Sequence, residues 1–325
     1  MKKVVIADFE NSLENDYTPA IQSIEEALGE KIEANVYAYK SREDLIRALR
    51  NADGLITGFL EIGEEILKEC PDLKCISVSA AGYSNIDLSS AKKHNVTVCH
   101  IKEYCTNEVA EHAIALMCAL NRNLKFYADR IDRKREWKYY ATEGNLNLSS
   151  QTLAIFGFGK IGKRVAGLAK ALGMKVLAVD PYAVQGEVPQ VEIVTAQEAL
   201  FRADIITNHM NLTDENYHFF DGDAFKKMER TPVFINVGRG GSVDEKALVH
   251  ALDEGLIRGA GIDVLEAEEP DLSRCALVGR TNVILTPHSA FYSKESIKKL
   301  QTISGANLGY FFAGEFDKIE ETVVR

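Results

Sequence analysis

Short apolar runs rich in β-branched residues, each followed by a longer amphipathic stretch, recur in two series along the chain, and this alternation limits the fold more than any other feature. The first series has Lys3 to Asp8, Glu33 to Tyr39, Gly54 to Gly58, Lys74 to Ser79 and Thr97 to His100 as strands, with helical stretches between them. The best local helix signal follows Tyr17: Thr18 can cap, Pro19 suits the first helical position, and Gly29 comes after Ile21, Ile24 and Leu28. A long helical region, Thr106 to about Tyr140, leads to a second series, Thr152 to Phe158, Lys175 to Asp180, Asp204 to Met210, Val233 to Val237, Arg258 to Val264 and Asn282 to Leu285. Thr195 with Glu198, and Ser242 with Glu245, have the spacing of capping boxes and mark helix starts just after strands. Such alternation predicts parallel sheets with helices on both faces, so the fold class is α/β with two doubly wound parallel-sheet domains. A length of 325 residues agrees, since a typical domain has ~150. The last helix, Lys294 to Phe312, follows the second series and is free to return to the first domain.

Composition narrows the class of partner. The chain carries 38 Lys and Arg against 48 Asp and Glu, a net charge of −10 with no basic block, which argues against a nucleic-acid surface or a polybasic membrane anchor and favours a small-molecule partner. No apolar run approaches the ~18 residues of a membrane span; Ala113 to Leu120 stops at His112 and Asn121. The opening Met1-Lys2-Lys3-Val4-Val5-Ile6-Ala7 imitates a signal peptide, but Asp8 and Glu10 interrupt it too early. Six cysteines without a C-x-x-C pair read as reduced cytosolic thiols rather than disulfides or a zinc site. The expectation is a soluble cytoplasmic protein without a structural metal.

Gly157-Phe158-Gly159-Lys160-Ile161-Gly162 lies between the apolar run Leu153 to Phe156 and a helix containing Val165, Leu168 and Leu172. Glycines at these places allow a tight turn, close approach of backbone to a pyrophosphate, and close packing of helix on strand, while the N–H groups at the helix start hold the anion. Asp180 ends the next strand, near the ~20 residues on at which a carboxylate hydrogen-bonds the adenosine ribose diol. A carboxylate there accepts both hydroxyls and repels the 2′-phosphate of NADP, and Pro181-Tyr182 brings no compensating cation. The expected cofactor is NAD.

Three further segments place a cation, carboxylates and a histidine just after strands: Val233 to Gly241 with Arg239, Gly261 to Pro270 with Asp263, Glu266, Glu268 and Glu269, and Thr286 to Tyr292 with His288. In a doubly wound sheet the carboxyl ends of the strands line the ligand crevice, so residues distant in sequence converge there. With the glycine turn, these segments resemble the D-isomer-specific 2-hydroxyacid dehydrogenase family. The resemblance extends to Ala81-Gly82-Tyr83-Ser84-Asn85-Ile86-Asp87, which looks like the family's substrate loop, and to Tyr104 to His112, which looks like its crossover helix.

The resemblance implies a flavodoxin-like substrate domain, residues 1–101 plus 292–325, a Rossmann NAD-binding domain inserted at 102–291, and a cleft between them. It implies that Arg239, Glu268 and His288 form the catalytic triad, that Lys160, Ile161, His209, Met210, Asn211, Val237, Gly238 and Asp263 join the glycines and Asp180 at the NAD site, and that Ala81, Gly82 and Tyr104 meet the substrate. A 2-keto acid offers a carboxylate for Arg239 to hold bidentately and a carbonyl whose carbon takes a hydride while its oxygen takes a proton from His288. A carboxylate beside that imidazole stabilises its charged form. The family's usual Glu-Pro pair points to Glu269, whereas spacing from Asp263 and Arg239 points to Glu268, the favoured choice; Glu266 is the third candidate. His112, next to Glu111, reads as a packing or ion-pairing residue.

Several positions depart from the family pattern: Asn211 stands where Pro is common, Ile101-Lys102 where Val-Pro is common, and His100 and Cys105 where neutral polar residues are common. Lys102 or His100 could meet a second acidic group on a substrate. His288-Ser289-Ala290-Phe291-Tyr292 looks more like the D-lactate and D-2-hydroxyisocaproate branch than the phosphoglycerate branch. Two other functions stay open, an NAD-sensing corepressor and a formate or phosphite dehydrogenase. The apolar residues Ile114, Leu116 and Leu120 of the crossover helix suggest a homodimer.

Overall fold

The computed structural model describes every residue except Glu143 and Asn145. The chain divides into two compact units, Met1–Tyr104 with Ser293–Arg325, and Cys105–Tyr292.

The first unit runs β1 (Lys2–Asp8), α1 (Thr18–Leu28), β2 (Ile32–Ala38), α2 (Arg42–Leu49), β3 (Gly54–Thr57), α3 (Glu64–Leu67), β4 (Cys75–Val78), α4 (Leu88–Lys93) and β5 (Thr97–His100). The second unit runs α5 (Thr106–Asn121), α6 (Leu124–Lys134), β6 (Thr152–Phe156), α7 (Lys160–Ala171), β7 (Lys175–Val179), β8 (Val191–Ile193), α8 (Ala196–Arg202), β9 (Ile205–Asn208), α9 (Gly222–Lys226), β10 (Val233–Asn236), α10 (Glu245–Asp253), β11 (Gly259–Ile262) and β12 (Val283–Leu285). The chain then returns to the first unit with α11 (Lys294–Ala313) and β13 (Glu321–Val324).

The first sheet has the order β13-β5-β4-β3-β1-β2, parallel except for the antiparallel edge strand β13. Helix α11 lies so close on α1 that a Cβ on Gly305 would stand 2.4 Å from the Ala20 carbonyl oxygen, and one on Gly309 2.6 Å from that of Ile24. Small residues at that crossing let the last helix seal one face of the sheet. The second sheet, entirely parallel, has the order β12-β11-β10-β9-β6-β7-β8. Its central strands are buried on both faces and are mainly apolar, with the polar residues Asn208 and Asn236 closing β9 and β10. Phe156, Phe220, Phe225 and Phe234 fill one layer, with edge-on ring contacts at 4.8 to 5.4 Å. The order reverses at β6, where the chain crosses from one half of the sheet to the other, and a crevice at the carboxyl ends of the strands forms at such a switch point.

Four expectations from the sequence need correction. The region Thr106 to Tyr140 is two helices: Asn123, with φ +52°, ends the first turn-to-turn continuity, and α6 stops at Lys134. Tyr17, not Thr18, precedes the first helical residue of α1, although Gly29 closes the helix in the left-handed region as expected. The Thr195–Glu198 capping box forms, but Ser242 does not cap α10; Asp244 does, accepting from the N–H groups of Lys246 and Ala247. The strands β8 and β13 had no counterpart in the sequence reading.

Candidate active site

The carboxyl edge of the second sheet brings the candidate residues into a row. Asp180 follows β7, the glycine turn follows β6, His209 follows β9, Arg239 follows β10, Asp263 and Glu268 follow β11, and His288 follows β12.

At the glycine turn, Gly157 has φ +86°, and a Cβ there would stand 2.7 Å from the backbone of His209 and Met210. A Cβ on Gly162 would stand 2.2 Å from the Gly157 carbonyl oxygen, so α7 packs directly on the turn. Gly159 differs: a Cβ there meets no atom within 4 Å, so neither packing nor backbone conformation accounts for glycine at that position. Lys160 is exposed and Ile161 half-buried at the helix start. Asp180 Oδ2 accepts from the Phe158 N–H at 2.8 Å, and Oδ1 from the Tyr182 N–H at 2.8 Å, which ties the carboxylate to the turn.

His209 has one ring nitrogen, Nε2, 3.0 Å from Thr207 Oγ1, whereas Nδ1 is sealed from solvent with no partner among the described residues. Burial pushes its imidazole down to about 3, so the ring is neutral near pH 7. Met210 and Asn211 continue this loop, with the Met210 N–H held by Asn208 Oδ1 at 3.1 Å and the Asn211 carbonyl accepting from Asn216 Nδ2 at 2.7 Å.

The Arg239 turn rests on a buried polar cradle. Asn208 Nδ2 donates to Asn236 Oδ1 at 2.9 Å and to Ser242 Oγ at 2.8 Å, while Asn236 Nδ2 and Ser242 Oγ both donate to the Arg239 carbonyl, at 3.1 and 2.7 Å. Asn236 Oδ1 also accepts from the N–H of Gly238, which is buried beside Val237. A network in which every member is satisfied at low dielectric is rigid. The half-buried Arg239 side chain donates from Nη1 to the Gly238 carbonyl at 2.8 Å and, among the described residues, has no ion pair. A guanidinium kept in place without a carboxylate retains a donor fork for an anionic ligand.

His288 Nδ1 lies 2.7 Å from Glu268 Oε2. An ionised carboxylate only accepts, so Nδ1 carries the proton in this pair. Of the other acids, Glu266 takes the Tyr217 hydroxyl at 3.1 Å and the His218 ring, and Glu269 is exposed. Asp263 is buried and braces the His288 loop, accepting from Thr286 Oγ1 at 2.5 Å, Ser289 N–H at 2.9 Å and Ala290 N–H at 3.0 Å, and, through its carbonyl, from the His288 N–H at 2.7 Å. Gly240 presses this loop system together: a Cβ there would stand 1.8 Å from the Leu265 carbonyl oxygen.

In the first unit, Ala81 is exposed and Gly82 half-buried after β4, and Tyr104 is buried after β5. Lys102 pairs with Glu321 at 3.3 Å, so that charge already has a partner in its own unit. His100 packs against Tyr83 with ring centroids 4.8 Å apart and the rings tilted at 59°.

The sequence reading missed Asn208, Asn236, Ser242 and Thr286. For Asn208 and Asn236 the available signal was a polar residue closing a buried strand just ahead of a functional turn. His94 caps the end of α4 and contacts Glu64 at 3.0 Å.

Residues 114–290 match the family model described as D-isomer specific 2-hydroxyacid dehydrogenase, NAD binding domain. The chain belongs to that family. It is 36% identical over 285 residues to a glycerate dehydrogenase of Methylorubrum extorquens, covering 86% of this chain and 88% of that protein. A glyoxylate reductase of Thermofilum pendens is 33% identical over 284 residues, with 85% and 83% covered. Among solved structures, an Aquifex aeolicus D-lactate dehydrogenase complexed with NAD and lactic acid superposes with a TM-score of 0.86 at 27% identity, over 99% of each chain. This 2-hydroxyacid dehydrogenase is therefore an NAD-dependent oxidoreductase.

Two features of the glycine-turn region fit the cofactor. Open space at Gly159 lets backbone N–H groups reach a pyrophosphate, and the orphaned Nδ1 of His209 leaves a polar atom beside the turn for which the chain supplies no partner. Among the described residues, no group of three His, Cys, Asp or Glu side chains could hold a metal ion, and no helix is long and apolar enough to cross a membrane.

Proposed function

We propose that this dehydrogenase reduces a small 2-keto acid to the D-2-hydroxy acid, with Arg239, Glu268 and His288 as catalytic residues. The observation that carries the reading is a guanidinium with no ion pair among the described residues, on a cradled turn, together with a carboxylate-bound imidazole, at the ends of the adjacent strands β10, β11 and β12.

NADH supplies the hydride to the carbonyl carbon. Arg239 holds the substrate carboxylate in a fixed plane, which orients the carbonyl. Glu268 fixes the ring of His288 through Nδ1, leaving Nε2 as the nitrogen that gives a proton to the carbonyl oxygen, and it stabilises the imidazolium before that transfer. The C=O π bond becomes a C–H and an O–H bond, and His288 ends neutral; oxidation runs through the same atoms in reverse. Asp180, Gly157, Gly159, Gly162, His209, Met210, Asn211, Val237, Gly238 and Asp263 serve the cofactor, and Ala81, Gly82 and Tyr104 in the unit Met1–Tyr104 with Ser293–Arg325 serve the substrate. The glycerate and glyoxylate enzymes among the relatives, and the engagement of Lys102 by Glu321, support a small monocarboxylic substrate.

The same reading includes a cytoplasmic homodimer. Six free cysteines suit a reducing compartment. Leu116 and Leu120 are buried within their own unit, so the apolar surface for a second copy is sought after α6, where Trp137 is 92% exposed and Tyr139 and Tyr140 are exposed beside it. The test follows NADH absorbance with glyoxylate, hydroxypyruvate and pyruvate while sedimentation reports mass. Rapid oxidation that is lost in His288→Ala and Arg239→Ala supports the assignment. Cofactor-dependent association without turnover of any 2-keto acid overturns it in favour of a sensor.

A further inference from the structure

We infer that His112, on α5, is a positioning residue for His288 and acts through Thr286 and Asp263. The inference rests on the reading of His288 as the proton donor.

His288 sits at φ +49°, in the left-handed region that a side chain adopts only when its surroundings hold it there. Asp263 supplies most of that hold: its carboxylate binds Thr286 on one side of His288 and Ser289 and Ala290 on the other, and its carbonyl binds the His288 N–H. Every one of these bonds joins the loop to the end of its neighbouring strand. His112 is the tie from elsewhere. Its Nε2 lies 3.0 Å from Thr286 Oγ1 and 3.6 Å from Asp263 Oδ1. The one hydroxyl proton of Thr286 goes to Asp263 at 2.5 Å, so Thr286 Oγ1 presents lone pairs to His112, and Nε2 must carry the donated proton. The helix bearing His112 cannot drift, because Leu116 and Leu120, four and eight residues on, pack where a Cβ on Gly261 would stand 3.1 to 3.3 Å from them. One N–H from a fixed helix thereby completes the bonds of the hydroxyl that starts the strained loop, and it lies close to the buried carboxylate that this hydroxyl serves. Without it, Thr286 Oγ1 loses its donor, and the loop that aims His288 at the substrate has an easier alternative conformation.

The test uses the cofactor-saturated enzyme and the 2-keto acid with the highest turnover, and compares His112→Leu, His112→Gln, Thr286→Val and His288→Ala. Gln places an amide N–H near the Nε2 position. The expected result is a kcat lower by roughly 10- to 100-fold in His112→Leu and Thr286→Val, a KM for the keto acid within about threefold, and a larger deuterium isotope effect from C4-deuterated NADH. His112→Gln should recover most of the loss. His112→Leu with unchanged kcat and isotope effect overturns the inference, as does a Gln variant as impaired as Leu with the same fall in Tm, which marks a packing role. If His288→Ala is inactive while His112→Leu is normal, this inference alone fails; if His288→Ala turns over normally, the proposed function fails with it.

Discussion

Replacing Gly240 by Ala tests whether the Arg239 turn and the Glu268 loop work as one preset constellation. Gly240 has an ordinary φ, so no backbone strain enters, and the substitution acts through the added methyl group alone. That Cβ would lie 1.8 Å from the Leu265 carbonyl oxygen, 2.0 Å from its carbon and 2.6 Å from the Glu266 nitrogen. Against the 3.4 Å at which ordinary contact begins, the oxygen is about 1.6 Å too close, and both partners are backbone, with no rotamer to yield. Forced packing of this kind costs about 1–3 kcal/mol, which a domain of ordinary stability survives. Relief must come from separating residues 239–241 from 264–266, which moves Arg239 away from Glu268 and His288 by about 1 Å, and a misplacement of that size costs about 10²-fold in rate. We expect kcat/KM for keto-acid reduction to fall about 100-fold in Gly240→Ala while NADH binding, followed by nucleotide fluorescence, stays near wild type. Gly241→Ala is the control, since its Cβ meets only the ends of the Leu212 and Tyr217 side chains, at 3.0 to 3.5 Å. Wild-type kcat/KM in Gly240→Ala would refute the claim that these two loops must abut for turnover.

Asp180→Ser should weaken NADH use and narrow the NADH to NADPH preference measured by paired kcat/KM values; an unchanged ratio would remove Asp180 from the ribose site. Among Glu266→Gln, Glu268→Gln and Glu269→Gln, the largest loss of turnover should fall on Glu268→Gln, and a larger loss at Glu269 would contradict the pairing at Nδ1. His209, held near 3 against 6.5 for a free histidine, takes up a proton on unfolding between those values, so the native state loses stability as pH falls through that window and gains none from this group above it. The slope is about 1.4 kcal/mol per pH unit; the unfolding free energies of the apoenzyme from urea titrations at pH 7 and pH 5 should therefore differ less in His209→Gln than in the wild type by an amount approaching about 2 kcal/mol. Equal differences would show that the imidazole is not sealed in solution.

Strand-by-strand alternation was readable because a parallel strand buried on both faces has a continuous apolar run, as in Val233-Phe234-Ile235. The strand ends were overshot at 157–158, 209–210 and 263–264, where the chain leaves the ladder and enters the site. The edge strands Val191–Ile193 and Glu321–Val324 are three and four residues long, too short for a period to register. The break at Asn123 was hidden because apolar residues continue through Leu124, and a left-handed Asn leaves no mark in periodicity. Arg239 and His288 stood out as polar, ionisable residues just beyond apolar strands. The choice among Glu266, Glu268 and Glu269 depends on the direction of each side chain in an irregular loop, which sequence spacing does not encode. Ser242 had the spacing of a cap, yet its hydroxyl serves the Arg239 carbonyl.

The order β12-β11-β10-β9-β6-β7 puts five strand spacings, about 24 Å, between Asp180, the proposed ribose carboxylate, and His288, the proposed proton donor. The two properties therefore vary independently. A variant retuned at 180–182 for a phosphorylated nucleotide should keep its keto-acid profile, and one remodelled around 286–292 for a bulkier acid should keep its coenzyme, so a library can diversify each end of this edge separately and combine the winners.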